Sequence, residues 1–373
     1  MTRFARTDTS VLGNWWWTID RWTMAAVALL LVYGVMLTMA ASPPVAERLN
    51  YEQFHFVRRQ LVFLPVAMAI MFAVSLMTPR GIRRLALAVF AVGILLMIAT
   101  LFFGPEIKGA RRWINIGGLS LQPSEFIKPS LAVLTAWAFA RQHETGDAVW
   151  RNAAIGLYLL VVCLLLMQPD FGMTVVVSAV WFGQFFLAGL PILWVAGFFV
   201  LGLAGAIGAY LLLPHVASRV DRFIDPSSGD SYQVSRSMEA FMNGGVLGRG
   251  PGEGSVKSVL PDAHTDFVFA VAGEEFGLIA CLILVGLFAF IVLRGFSRVI
   301  KEPSLFVLLA VTGLLIQFGL QSLVNMGSTL RLMPTKGMTL PFISYGGSSL
   351  VAIALLVGMV LALTRRRVGQ ESL

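Results

Sequence analysis

Pro261-Asp-Ala-His-Thr-Asp-Phe-Val-Phe-Ala-Val-Ala-Gly-Glu-Glu-Phe-Gly277 runs without a break into Leu278-Ile-Ala-Cys-Leu-Ile-Leu-Val-Gly-Leu-Phe-Ala-Phe-Ile-Val-Leu293. The charge-free second stretch, together with the residues back to Asp266, has the length and apolarity of a helix that crosses a bilayer. The first stretch sets Asp262, His264, Asp266, Glu274 and Glu275 at and just inside the mouth of that helix. A carboxylate in hydrocarbon costs roughly 2.5–3.5 kcal/mol on insertion scales, so a chain that keeps several there has a use for some of them.

Apolar spans recur near 22–41, 58–78, 83–103, 123–141, 152–168, 171–188, 191–213, 304–326 and 342–364. With 266–293 they make ten, and the chain reads as an all-α polytopic membrane protein with ten transmembrane helices. Of 373 residues, 57% are hydrophobic and 13% charged, which excludes a soluble domain of this size. An even number of crossings puts both termini on one side. Arg3, Arg6, Arg21, Arg80, Arg83, Arg84, Arg141, Arg151, Arg294, Arg298, Lys301 and Arg365 to Arg367 fall on that side in short segments, which makes it cytoplasmic. Residues 1–21 are then a cytoplasmic segment, 22–364 the membrane domain and 365–373 a cytoplasmic tail. No cleavable signal peptide is expected. Trp15, Trp16, Trp17 and Trp22 read as an interfacial aromatic belt.

The outer face carries polar, Gly- and Pro-rich segments at 104–122, 169–170 and 327–345, and a large loop at 214–265 between the seventh and eighth helices. These hold Lys108, Arg111, Arg112, Arg219, Arg222, Arg236, Arg249, Lys257, Arg331 and Lys336, against the insertion bias. An anionic ligand on that face explains them; so does a solvated surface that counters Asp221, Asp225 and Asp230. The net charge of +8 is read loop by loop, and no nucleic-acid partner is expected. Residues 231–243 are predicted as a short interfacial helix ended by Gly244-Gly245. Gly248-Arg-Gly-Pro-Gly-Glu-Gly254 follows no strand and fits neither common nucleotide-loop spacing, so no nucleotide is expected. Cys163 and Cys281 lie in apolar runs and are expected to be buried free thiols. Four histidines without ligand spacing argue against zinc.

Several polar groups are candidates for chemistry. Asp266 is either an acid in the first turn of its helix, stabilised by the dipole, or a general base facing a cavity. Glu274 and Glu275 lie about 12 Å deeper. At that depth they need partners, as structural glue or in an ion path, and the structural role is preferred. In Gln122-Pro-Ser-Glu-Phe-Ile-Lys128, Ser124 suits an N-cap, and Glu125 and Lys128 share a helical face. They form an ion pair, or Lys128 meets a phosphate. Asp170 in Gln168-Pro-Asp-Phe-Gly172 caps a helix or joins a site. Gln317, Gln321 and Asn325, at i, i+4 and i+8, form a polar stripe suited to interhelical hydrogen bonds. Residues 334–349 enter the last helix through small residues, tolerated near a membrane only if buried in protein or lining a cavity.

These segments, with Arg111-Arg-Trp-Ile-Asn-Ile-Gly117, resemble the SEDS family (shape, elongation, division and sporulation), the FtsW/RodA glycosyltransferases of bacterial peptidoglycan. The resemblance runs from about 58 to 364, and Pro334-Thr-Lys-Gly337 is more similar to the division branch than to the elongation branch. It implies polymerisation of lipid II at the outer face of the inner membrane, at the division septum. Its partners would be the nascent glycan strand, a class B penicillin-binding transpeptidase, other division proteins and membrane lipid. The family's catalytic aspartate falls on Asp266, and its other important polar positions on Trp113, Glu125, Lys128 and Asp170. The matching loop arginine is Arg219, with Arg111 as a further pyrophosphate clamp. A divalent cation (Mg2+ or Mn2+) on Asp266 or Asp170 is consistent with the family. The sequence departs from the family at Asp262, Arg236 and Asn243. A lipid II flippase and a non-catalytic recruiter of the transpeptidase are the alternatives.

Overall fold

The computed structural model describes residues 10–107, 109–189, 192–212, 216–218, 221, 232–334 and 337–365. Its helices are α1 (Val11–Thr18), α2 (Arg21–Arg48), α3 (His55–Ser75), α4 (Pro79–Phe103), α5 (Pro123–Thr145), α6 (Ala148–Met167), α7 (Phe171–Leu187), α8 (Ile192–Leu212), α9 (Tyr232–Gly244), α10 (Val268–Val299), α11 (Leu305–Thr329) and α12 (Gly347–Leu363). Among the described residues six of them, α2, α3, α4, α6, α10 and α11, are long and apolar enough to cross a membrane. α7 and α12 are apolar but 17 residues long. α5 carries Glu125, Lys128, Arg141, His143 and Glu144. The architecture is helical and polytopic. The expected outer segment at 104–122 holds one departure from all-α: β1 (Ile114–Ile116) pairs antiparallel with β2 (Leu119–Leu121). Gly117 and Gly118, both at positive φ, make the turn.

α5 is the central pillar. It packs against α4, α6, α7, α11 and α12. From Pro123 to Ala136 every residue but Phe126 is buried. A helix so enclosed meets protein on all sides, which is why it can hold Glu125 and Lys128 at membrane depth. α12 lies along α3, and Gly34 of α2 lets the backbone of Phe342 approach so closely that a Cβ would stand 2.1 Å from its carbonyl oxygen.

The described ends of the chain meet at one face. Asp20 caps α2 and takes a two-pronged contact from Arg294, at 2.7 and 2.9 Å, with Arg298 at 3.1 Å. Burial pushes the Asp20 carboxyl up, but the Arg294 hydrogen bonds and both arginine charges outweigh it, and the net shift is downward. Arg365 donates to Thr18 Oγ1 at 3.1 Å. Trp15 departs from the expected belt: it is buried, donates Nε1–H to Ser75 Oγ at 2.8 Å and meets Phe72 edge-on, while Trp22 stays exposed. Cys163 also departs from expectation, being exposed on α6; Cys281 is buried.

At the opposite end α10 is broken, where a continuous helix is expected. Gly277 has φ 77° and ψ −175°. The backbone of 245–250 enters the break: Leu278 N–H donates to Gly245 O at 3.0 Å and Gly250 N–H to Glu275 O at 3.0 Å. The loop then folds over two buried carboxylates. Ser255 and Val256 N–H donate to Glu274 Oε1 at 2.9 and 2.8 Å, Lys257 N–H to Oε2 at 3.2 Å, and Gly252 N–H to Glu275 Oε2 at 3.1 Å. Lys257 Nζ pairs with Glu275 Oε1. The glycine-rich stretch does cradle an anion, and the anion belongs to the protein. The glue for Glu274 and Glu275 is loop backbone and a loop lysine.

Gly248 has φ +80°, and a Cβ there would lie 2.2 Å from Glu275 O. Gly248→Ala is expected to destabilise by roughly 2–4 kcal/mol, since both the conformation and the contact are closed to a side chain. Glu274→Gln sets an amide NH2 among N–H donors and is expected to cost roughly 1–3 kcal/mol. Thermal unfolding in detergent measures both; an unchanged midpoint for either contradicts the cradle.

Candidate functional site

α5 starts at Pro123, with Gln122 at the N-cap and no side-chain cap. Ser124, expected as the cap, is instead buried inside the first turn, and proline takes the first helical position that suits its missing N–H. Glu125 then sits in the first turn, where the helix dipole favours an anion. Lys128 Nζ lies 3.0 Å from Glu125 Oε2 and donates to Gln321 Oε1 at 2.9 Å. Both charged side chains are buried, at 2% and 7% exposure. Such a pair is retained only with further hydrogen bonds, and removing one member costs roughly 3–5 kcal/mol.

Gln321 extends the network. Its Nε2 donates to Thr339 O at 3.1 Å, and Thr339 Oγ1 is 2.6 Å from Ser349 Oγ. One turn along α11, Asn325 Nδ2 donates to the backbone oxygens of Asp266 and Met338, at 2.9 and 2.6 Å. The polar stripe therefore pins two irregular segments side by side. The third stripe residue, Gln317, lines a small cavity of about 10 Å³ with Lys128, Thr135 and Gln184, room for one water.

Asp266 does not sit in a helical first turn. It lies in the turns of 261–267, before α10, and is partly exposed. Its carboxylate comes so near Gly337 that a Cβ there would stand 2.8 Å from Oδ2. The loop carrying it is clamped again from 340–345. Ser344 Oγ donates to Thr265 O and accepts from Leu340 N–H at 2.8 Å, and Tyr345 N–H donates to His264 O at 2.9 Å. His264 packs between Phe56 and Tyr345, with ring centroids 4.6 and 5.4 Å away. Burial drives the His264 pKa down to about 4; Asp262 opposes this and Arg48 adds to it. The ring is therefore neutral at pH 7.

Asp170 belongs to a second cluster. It caps α7 through Met173 N–H at 3.2 Å. Arg112, not Arg111, clamps this turn: its Nη1 is 3.6 Å from Asp170 Oδ2 and its Nε donates to Gln168 O at 3.1 Å. Arg111 is exposed and 3.7 Å from Glu106. Trp113 is partly exposed just before the hairpin. Arg219 lies outside the described residues. Thus Asp266, Asn325, Gln321, Lys128 and Glu125 are brought together, while Arg111, Trp113 and the Glu274–Glu275 pair stand apart from them. Arg112 and His264 were named in sequence only as members of larger groups, and Thr339 and Ser344 not at all; the Arg-Arg pair and the Ala-His-Thr-Asp run were the available signals. Among the described residues no group of three or more His, Cys, Asp or Glu side chains forms a metal cage.

The fold and this network define a polytopic helical membrane protein with a partly exposed aspartate linked through α11 to a buried ion pair. The chain belongs to the cell cycle protein family FtsW/RodA/SpoVE, whose family model matches residues 21–368. It is 46% identical over 367 residues to the "Probable peptidoglycan glycosyltransferase FtsW" of Caulobacter vibrioides, covering 98% of this chain and 94% of that one. It is 34% identical over 358 residues to the protein of the same name from Coxiella burnetii, covering 92% and 96%. Among solved structures it is similar to a chain of a peptidoglycan synthase complex that coordinates polymerization and crosslinking (TM-score 0.75, 31% identity, 93% and 97% covered). It is also similar to the rod shape determining protein RodA of Thermus thermophilus (TM-score 0.68, 29% identity, 94% and 97% covered).

His264 must gain a proton as pH falls, and its folded pKa is the lower one. The stability it supports is present above about 6.5 and is lost as pH drops towards about 4. His264→Gln is expected to flatten the unfolding midpoint between those values, measured as thermal stability against pH. A profile identical to that of the parent chain contradicts the assignment.

Proposed function

We propose that this chain is an inverting peptidoglycan glycosyltransferase that polymerises lipid II into β-1,4-linked glycan at the outer face of the bacterial cytoplasmic membrane, in septal wall synthesis. The observation that carries it is Asp266, a partly exposed carboxylate on a loop fixed at its own backbone by Asn325 and backed by the Lys128–Glu125 pair. Family membership and the names of its relatives point the same way. In this reading ten helices cross the membrane, residues 214–265 form the outer loop between the seventh and eighth, and both termini are cytoplasmic. The meeting of Asp20 with Arg294 and of Arg365 with Thr18 at one face supports shared placement of the ends.

The chemistry follows from the substrate. The sugar is α-linked to pyrophosphate and the product is β-linked, so one in-line displacement suffices. A 4-hydroxyl oxygen attacks the anomeric carbon while the bond to pyrophosphate breaks, and the lipid pyrophosphate leaves with the electron pair. Asp266 takes the hydroxyl proton as general base. The leaving group needs charge neutralisation rather than a second carboxylic acid, unlike glycoside hydrolysis. Lys128, bonded to the same α11 stripe as the Asp266 loop, supplies positive charge, and the family resemblance adds Arg219 and Arg111 as pyrophosphate clamps. Glu125 holds Lys128, and a substrate-binding role for Trp113 rests on the family resemblance.

A divalent cation would be held by Asp266 together with substrate oxygens, where it would add charge neutralisation. Asp170 fits that role poorly, because its carboxylate already caps α7 and faces Arg112. No nucleotide is needed. A class B transpeptidase is the proposed partner, supported by the likeness to a synthase-complex chain.

Asp266→Asn is nearly isosteric and is expected to keep the fold and to lower lipid II polymerisation by about 10²–10⁴-fold. Lys128→Met should also fall, mainly in the chemical step. The assay is glycan-strand formation by purified chain with its transpeptidase. Full activity of Asp266→Asn removes the base assignment; lipid II movement without joining replaces the enzyme by a flippase.

A further inference from the structure

On the arginine-rich face a second feature lies between α4, α5 and α6. Leu87 and Phe90 of α4, Trp137 of α5, and Trp150, Gly156 and Leu160 of α6 line an apolar groove of about 440 Å³. It is open on the flank of the bundle, where Leu87 and Leu160 are exposed. Along α6 it spans residues 150–160, about 15 Å at 1.5 Å per residue, half of a hydrocarbon core of roughly 30 Å. Its depth is that of one leaflet.

The mouth is cationic. Arg80, Arg83 and Arg84 lie in the first turns of α4, Arg141 near the end of α5 and Arg151 in the first turn of α6. The Arg83 guanidinium stands 5.6 Å from the ring of Trp137, which lines the groove, and 5.2 Å from Phe306. Of the nearby carboxylates, Glu144 pairs with Arg141 at 3.2 Å and also acts on Arg83 through its charge, and Asp147 caps α6 through Val149 N–H at 3.0 Å. Among the described residues no carboxylate pairs with Arg80, Arg83, Arg84 or Arg151. The Trp137 Nε1–H is buried without an acceptor among those residues.

We infer that this groove holds an acyl chain of an anionic phospholipid from the leaflet at that face, with its phosphate on the Arg80–Arg83–Arg84 collar. An apolar slot one leaflet deep selects a lipid tail. The clustered arginines at its mouth select a negative head group, each worth about 1 kcal/mol near an anionic surface. A lipid bound there would wedge α4, α5 and α6 together and brace the pillar that carries Lys128.

The test is thermal unfolding of the full purified chain in detergent, with added dioleoylphosphatidylglycerol or dioleoylphosphatidylcholine. The anionic lipid is expected to raise the midpoint by roughly 3–6 °C and the zwitterionic lipid not to. A Cβ at Gly156 meets nothing within 4 Å, so Gly156→Leu fills the groove without disturbing the helices. It should keep the lipid-free midpoint and lose the rise. Arg83→Gln should weaken the apparent affinity about fivefold. Equal effects of the two lipids, or a full response in Gly156→Leu, overturn the inference. So does stabilisation by a polyisoprenyl phosphate alone, which would give the groove to an isoprenoid tail.

Discussion

Two adjacent carboxylates inside a helical membrane bundle set the terms for the rest of this molecule. Glu274 and Glu275 are 0% and 1% exposed. A buried charge is sustained only by hydrogen bonds and opposite charge. Those come from 249–257, which must turn back onto α10 to deliver its N–H groups and Lys257. To reach that depth the chain passes through Gly248, whose backbone touches Glu275, and α10 opens at Gly277 to admit it. The same return lays α9 against α10, where Gly244 meets the backbone of Gly273. The position of Asp266, just before α10, is inherited from this arrangement.

A second layer of polar contacts fixes what the first one places. α11 projects Gln321 and Asn325 from one face, and both donate to backbone oxygen, Gln321 also to the Thr339 hydroxyl. The backbone acceptors matter most, because they hold the path of the 261–267 and 337–345 segments. The charged end of α5 stands behind them. A site whose groups are fixed before substrate arrives spends no binding energy on ordering them.

Much of this was legible in the chain. Hydropathy located the long helices, because apolar length is a property of the segment alone, though α2 runs seven residues and α10 six past the expected ends. The i, i+4 spacing of Gln317, Gln321 and Asn325 marked a shared face, and Gly244-Gly245 marked the end of α9. Other features were not legible. Arg111 and Arg112 are equivalent in sequence, and only the packing of the hairpin against the α6–α7 turn shows that Arg112 reaches Gln168 and Asp170. Trp15 looked like its neighbours until Ser75, sixty residues on, received its N–H. Gly248 to Gly254 read as a loop with no ligand because its anion lies beyond it in the chain.

The amino-acid order alone thus determined the class of molecule and its inventory: apolar helices, a cationic face, and a small set of carboxylates that hydrocarbon would not accept unaided. Periodicity and hydropathy are local, and they are enough for that. Which carboxylates are enclosed by another segment and which stands at a partly exposed position was decided by tertiary contact. Glu274 is enclosed by three N–H groups from another segment, whereas Asp266 is held by its backbone and keeps its carboxylate partly exposed beside Gly337. The difference lies in where donors arrive in space, and no property of an aspartate or glutamate within its own stretch encodes that.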